Sequence, residues 1–131
     1  MQITESFLRQ ALESLRREIL SSLHVAMPGI IRSYDAASAT AEVQPALRRR
    51  TSAGDLVTAP VLSGVPVFLP SADFVPAPGD HGLLIFCDFC IDGWFDTGQP
   101  VLPPSPRMHD LSDAFAIVGF RPKNLSGGIR P

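Results

Sequence analysis

The 131-residue chain has two cysteines, one tryptophan, one tyrosine and no long apolar run. No stretch approaches the roughly 18 consecutive apolar residues that a membrane-spanning helix requires, so none is expected. Met1 to Leu23 is interrupted by Glu5, Arg9, Glu13, Arg16, Arg17 and Glu18, unlike a secretory leader, and folding in a cytoplasm is the expectation. Two cysteines in a reducing compartment are expected to stay thiols. At 45% hydrophobic content the chain can build one core without a disulfide or a metal. A positive excess is missing as well: the formal net charge is −2 and the pI near 5.8, which excludes a broad field for nucleic-acid phosphates.

What is abundant is punctuation. Thirteen prolines and ten glycines, nearly all beyond residue 27, break the chain too often for long helices and favour short strands with tight turns. Ahead of them, Leu8, Leu12, Leu15 and Ile19 follow one another at spacings of four, three and four, one stripe of a helix that starts after the N-cap candidate Thr4. So narrow a stripe does not hold a helix of roughly 20 residues in isolation; it needs its own domain, copies of itself or another protein to cover it. These four residues are the candidate protein interface. Met27-Pro28-Gly29 reads as the stop of the helix, and Met27 to Pro45 as two alternating runs joined through Asp35 to Ala39, a β-hairpin. The chain divides on this reading into a helix at 1–26, a β domain at 27–119 and a tail at 120–131, whose last nine residues have the composition of a free segment.

Further along, Arg48, Arg49 and Arg50 precede the turn Thr51 to Asp55 and read as solvated hairpin-tip residues. Val65 to Leu69 is a short apolar strand whose Pro66 predicts an edge or a bulge. Gly82 to Cys87 is the most apolar strand, expected to be deeply buried, and it continues into Asp88 to Trp94. Four prolines between Gln99 and Pro106 make a rigid connection.

Few residues invite chemistry. Cys87 and Cys90 have redox spacing, but such pairs depend on a helix N-terminus to lower a thiol pKa, and strand residues three apart face opposite sides. A structural zinc needs four ligands, and His24, His81 and His109 are single and scattered. Asp88 and Asp92 read as solvent-facing rather than as an acid/base pair. His109, Ser112 and Asp113 lie too close in sequence for a catalytic triad, with no G-x-S-x-G elbow, and Asp113 is expected to bond local amides in a turn. No catalytic centre, metal site or cofactor is therefore expected.

A family resemblance rests on seven short motifs in order: His24 to Ile31, Ser33 to Ala36, Ala41 to Pro45, Val65 to Val67, Pro78 to Asp80, Ile91 to Trp94 and His109 to Ile117. The succession resembles the N-terminal domain of phage central-spike proteins, the membrane-piercing spikes of contractile tails related to the baseplate assembly protein V group. The resemblance implies an all-β fold, a five-stranded OB-type barrel preceded by one N-terminal helix. It also implies a non-enzymatic virion component at the tail tip: a homotrimer on the tail axis that meets the baseplate hub or tube protein, with a separate spike-tip protein as a further partner. Such spikes usually continue into a β-helical needle with a His-x-His tip motif, which this sequence does not contain. From a different class, a single-stranded nucleic-acid-binding module on the same barrel is the alternative, opposed by the scarcity of aromatics beside the arginines.

Overall fold

The computed structural model describes residues 4–123. Helix α1 (Glu5–Ser22) begins where Thr4 Oγ1 accepts the Phe7 amide at 3.0 Å, with Glu5 in the first turn. It ends as the hydroxyls of Ser21 and Ser22 donate to the carbonyls of Glu18 and Ile19 at 3.0 and 3.2 Å, and Leu23 is already extended. Met27-Pro28-Gly29 is thus not the stop that the local signals predict. It lies inside strand β1 (Ala26–Asp35), because distant pairing overrides those signals: Met27, Pro28 and Gly29 sit opposite Leu84, Leu83 and Gly82.

The predicted hairpin follows. Strand β2 (Thr40–Pro45) pairs antiparallel with β1 through a turn in which the Asp35 carboxylate accepts the Ala37 amide at 3.0 Å and Ala39 takes a positive φ of 55°. The chain then makes a separate two-stranded ribbon, β3 (Arg48–Arg50) with β4 (Leu56–Thr58), before β5 (Leu62–Phe68), β6 (His81–Phe86), a short helix α2 (Asp92–Thr97) and β7 (Ala114–Phe120). Five strands close in the order β1-β2-β5-β7-β6, with β5 parallel to β7 and all other pairs antiparallel. This is the OB-type barrel with one N-terminal helix that the resemblance implies, enlarged by the β3–β4 ribbon and α2. Of the tail read at 120–131, Phe120 ends β7, and residues 124–131 lie outside the described residues.

Alternation along each strand fills the barrel. Ile31, Val43 and Leu84 point inward and are fully buried, packed with Ala41, Val65, Phe86, Ala116 and Val118. Closure needs two small residues face to face: Gly29 lies opposite Gly82, and a Cβ on Gly82 would stand 2.7 Å from the Ile117 carbonyl oxygen. The inner set mixes alanine and glycine with branched side chains, which lets strands approach on one side and interdigitate on the other.

Three sequence expectations change. Strand β6 is not uniformly buried: Leu84 and Phe86 face the core, whereas Leu83 is half-buried and Ile85 exposed, so its apolar run serves both faces. It also stops at Phe86, where the Cys87 amide turns to the Asp113 carbonyl at 2.8 Å, so Asp88 to Trp94 is loop and helix rather than strand. Pro66 is not at an edge, since the closed barrel has none. The bulge half of that expectation holds: the β2–β5 register shifts between Ala41 and Val43, Gly64 opposes the shift at φ 62°, and parallel pairing to β7 begins at Val67, just past the proline.

Strand directions set the route of the chain. Strands β1 and β7 are both antiparallel to β6 and so run the same way. The chain enters the barrel where Ala26 meets Ile85 and leaves it where Phe120 meets His81, at the opposite end.

Candidate functional site

The buried charged residue among those described is Asp113, just ahead of β7. It is fully buried, and its carboxylate accepts from Arg107 Nε at 2.7 Å and Nη2 at 2.9 Å and from the Ile91 amide at 3.0 Å. Arg107 Nη2 also donates to Asp92 at 3.0 Å. The guanidinium, with the Ile91 amide, holds the Asp113 carboxyl below the usual carboxylate range although burial opposes this, and Asp113 in turn raises Arg107 further. Asp113 therefore does not serve local turn amides as the sequence suggests. It ties the proline-rich segment 99–106, α2 and the base of β7 to one point, while Asp110 accepts the nearby Ser112 amide at 2.9 Å.

Cys90, Asp92 and Asp113 bring Sγ and carboxylate oxygens within 4.8 Å of one another. Arg107 already supplies the positive charge that these carboxylates would seek in a cation. Both cysteines are free thiols, Cys90 buried and Cys87 partly so. Burial first, then Asp113 and Asp88, push the Cys87 thiol up and away from a reactive thiolate. This arrangement holds chain segments together.

A second polar cluster ties helix to barrel. His109, held at a positive φ of 47°, brings Nδ1 to 2.9 Å from the His24 carbonyl and Nε2 to 3.5 Å from Asp88. The His24 ring packs on Phe86 with centroids 5.6 Å apart, and the Phe86 amide donates to the Val25 carbonyl at 2.9 Å. His109 and Asp113 thus turn to different partners, and the triad-like trio of the sequence is not assembled. Asp88 faces solvent, as does Asp92 apart from its bond to Arg107.

The predicted interface residues Leu8, Leu12, Leu15 and Ile19 all lie on α1, each more than half exposed, and α1 has no buried residue. Phe7 and Leu20 are exposed as well, so the apolar surface of α1 is wider than the four-residue stripe. The barrel adds a feature that sequence reasoning did not find. Its outer surface is polar along β2, at Thr40, Glu42 and Gln44, but apolar across β6 and β7, where Leu83 lies opposite Ile117 and Ile85 opposite Phe115. Trp94 of α2 packs on Phe115 with centroids 5.5 Å apart and stays exposed with Phe95. The signal was present in the unbroken apolar run of β6: a strand of a closed barrel that is apolar at every position must present an apolar outer face.

A groove of about 350 Å³ opens at the end of the barrel where α1 joins it. Leu23, Val25, Met27, Leu47, Val57 and Leu111 are among its lining residues, with Arg48 and Arg49 from β3.

Comparison with known proteins places this surface in a family. Residues 27–119 match the family model described as the phage protein Gp138 N-terminal domain, a span that contains the whole barrel but its first and last residues. No curated protein matches the chain.

Proposed function

The chain belongs to the Gp138 N-terminal domain family of phage proteins, and from that premise we propose that it is a central-spike or baseplate-hub component of a contractile tail. In this role a homotrimer of OB-type barrels at the tail tip links the hub or tube protein to a cell-envelope-piercing element, which a separate spike-tip protein supplies. It acts by assembly, not by catalysis.

The observation that carries this reading is the route of the chain: α1 joins one end of the barrel and β7 leaves by the other, as an in-line connector requires. The exposed apolar residues of α1 and the apolar outer wall of β6 and β7 add support, since contiguous exposed apolar surface is what assembly with further chains would cover. The nucleic-acid alternative lacks such support. Arg48 to Arg50 lie on the ribbon, while the exposed pair Trp94 and Phe95 shares α2 with Asp92 and Asp96, so the arginine run and this ring pair stand on different elements.

Sedimentation of the full chain tests the reading. A species of three 14.1 kDa chains that also binds hub protein is the expected result. A stable monomer at micromolar concentration in physiological salt, or hub-free behaviour in a tail-assembly extract, overturns it.

A further inference from the structure

The groove and α2 are complementary in both shape class and charge. The groove has an apolar lining from the segment that follows α1, from β1 and from the ribbon, with the exposed side chains of Arg48 and Arg49 along it. Helix α2 is an exposed knob carrying Trp94 and Phe95 between Asp92 and Asp96, held rigidly because Trp94 rests on Phe115 and Asp92 is bonded to Arg107. Rigid aromatic anchors meeting arginine beside an apolar pocket are the composition of an interface centre.

Their positions decide what such a contact would build. Both features sit toward the barrel end where α1 enters: the groove includes Ala26 and Met27 at the start of β1, and α2 packs on Phe115 near the start of β7. They belong to different flanks, the ribbon between β2 and β5 and α2 between β6 and β7. A contact between patches on different flanks joins each copy to two different neighbours and is heterologous, and two patches at one level leave little translation between copies, which is the condition for a ring rather than a filament when the rotation closes.

We infer that the groove beside Arg48 and Arg49 of one copy receives α2 of the next copy, Trp94 and Phe95 filling the apolar floor and Asp96 meeting the arginines. The inference rests on the trimer reading and specifies its contact. A reciprocal two-fold pair would need one partner to reach both patches at once, which their placement on different flanks of the barrel opposes.

Full-length variants test it by sedimentation equilibrium after the oligomeric state of the parent chain is measured. Arg49→Asp and Asp96→Arg each place like charges together and should raise the concentration for half-dissociation at least about tenfold, with the combined variant restoring assembly toward the parent value. Both positions are on the surface, so folding is checked by an unchanged circular-dichroism spectrum, since weaker assembly itself lowers the unfolding midpoint. In a background carrying Cys87→Ala and Cys90→Ala, Thr58→Cys with Asp96→Cys should, on oxidation, give a covalent species of three chains, whereas either substitution alone gives none. A trimeric parent whose assembly ignores both charge variants and whose double-cysteine form does not cross-link overturns the groove contact and leaves the trimer reading standing. A monomeric parent overturns both.

Discussion

Two irregular segments leave the same end of the barrel, and the fold treats them differently. The segment from 87 to 113 is pinned by a fully buried carboxylate that takes two guanidinium bonds and one distant amide. The β3–β4 ribbon has three residues per strand, all exposed, and its turn is held by surface bonds such as the Asp55 amide to Thr51 Oγ1 at 3.1 Å. A free two-stranded ribbon is marginal in water, so the ribbon gains order from what it touches, while the other segment carries its order within itself. A rigid knob and an adjustable wall at one barrel end suit an interface that must form after the fold does.

The largest effect should come from removing the pin. Asp113→Ala leaves the Ile91 amide without its acceptor and the partly buried Arg107 guanidinium with Asp92 alone, and should cost about 3 kcal/mol in chemical denaturation. Limited proteolysis should then cut between 87 and 113 before it cuts the ribbon; the reverse order would break the comparison. A pH series sharpens the same point. Because the folded state holds the Asp113 carboxyl below its usual range, its contribution is complete above the ordinary carboxylate range and is lost as pH falls through the depressed folded value. Asp113→Asn should flatten this part of the acid limb of the unfolding free energy, and an unchanged acid limb would assign the pH dependence elsewhere.

Smaller effects belong to the ribbon and to α1. Thr51→Ala removes only the exposed turn bond and should change stability by no more than about 0.5 kcal/mol, with ribbon amides exchanging fast in both proteins. A cost near that of Asp113→Ala would show that the ribbon is part of the cooperative core. Leu12→Asp should leave the unfolding of the barrel unchanged, since Leu12 is exposed, and appear instead as weaker self-association or hub binding in sedimentation.

Legibility in the sequence followed the range of the interactions. The spacing from Leu8 to Ile19, the Thr4 cap and the hairpin turn at Asp35 are local, and each appears in the structure where the residues placed it. Pro28 and Gly29 misdirected the reading because their local preference yields to pairing with β6, which no nearby residue announces. Asp113 was visible as a polar residue at the head of an apolar run, but not as a buried one. Its partner Arg107 stands just past the prolines, and Ile91 and Asp92 reach it only through the fold. The outer wall of β6 and β7 was hidden for a different reason: an apolar run reads as burial on both faces, and only barrel closure shows that one face is outside.

The opposite exits of β1 and β7 have a mechanical meaning. Tension between α1 and the end of β7 acts along the strands, and both strands reach each other through β6, whose hydrogen bonds lie across that direction. Load applied this way slides strands past one another, so the rungs of both ladders bear it together; a pull on two neighbouring strand ends at one barrel end would open them one rung at a time. The β1–β2 turn, closed at Asp35 to Ala39, lies beyond the β1–β6 rungs, which span Ala26 to Ile30.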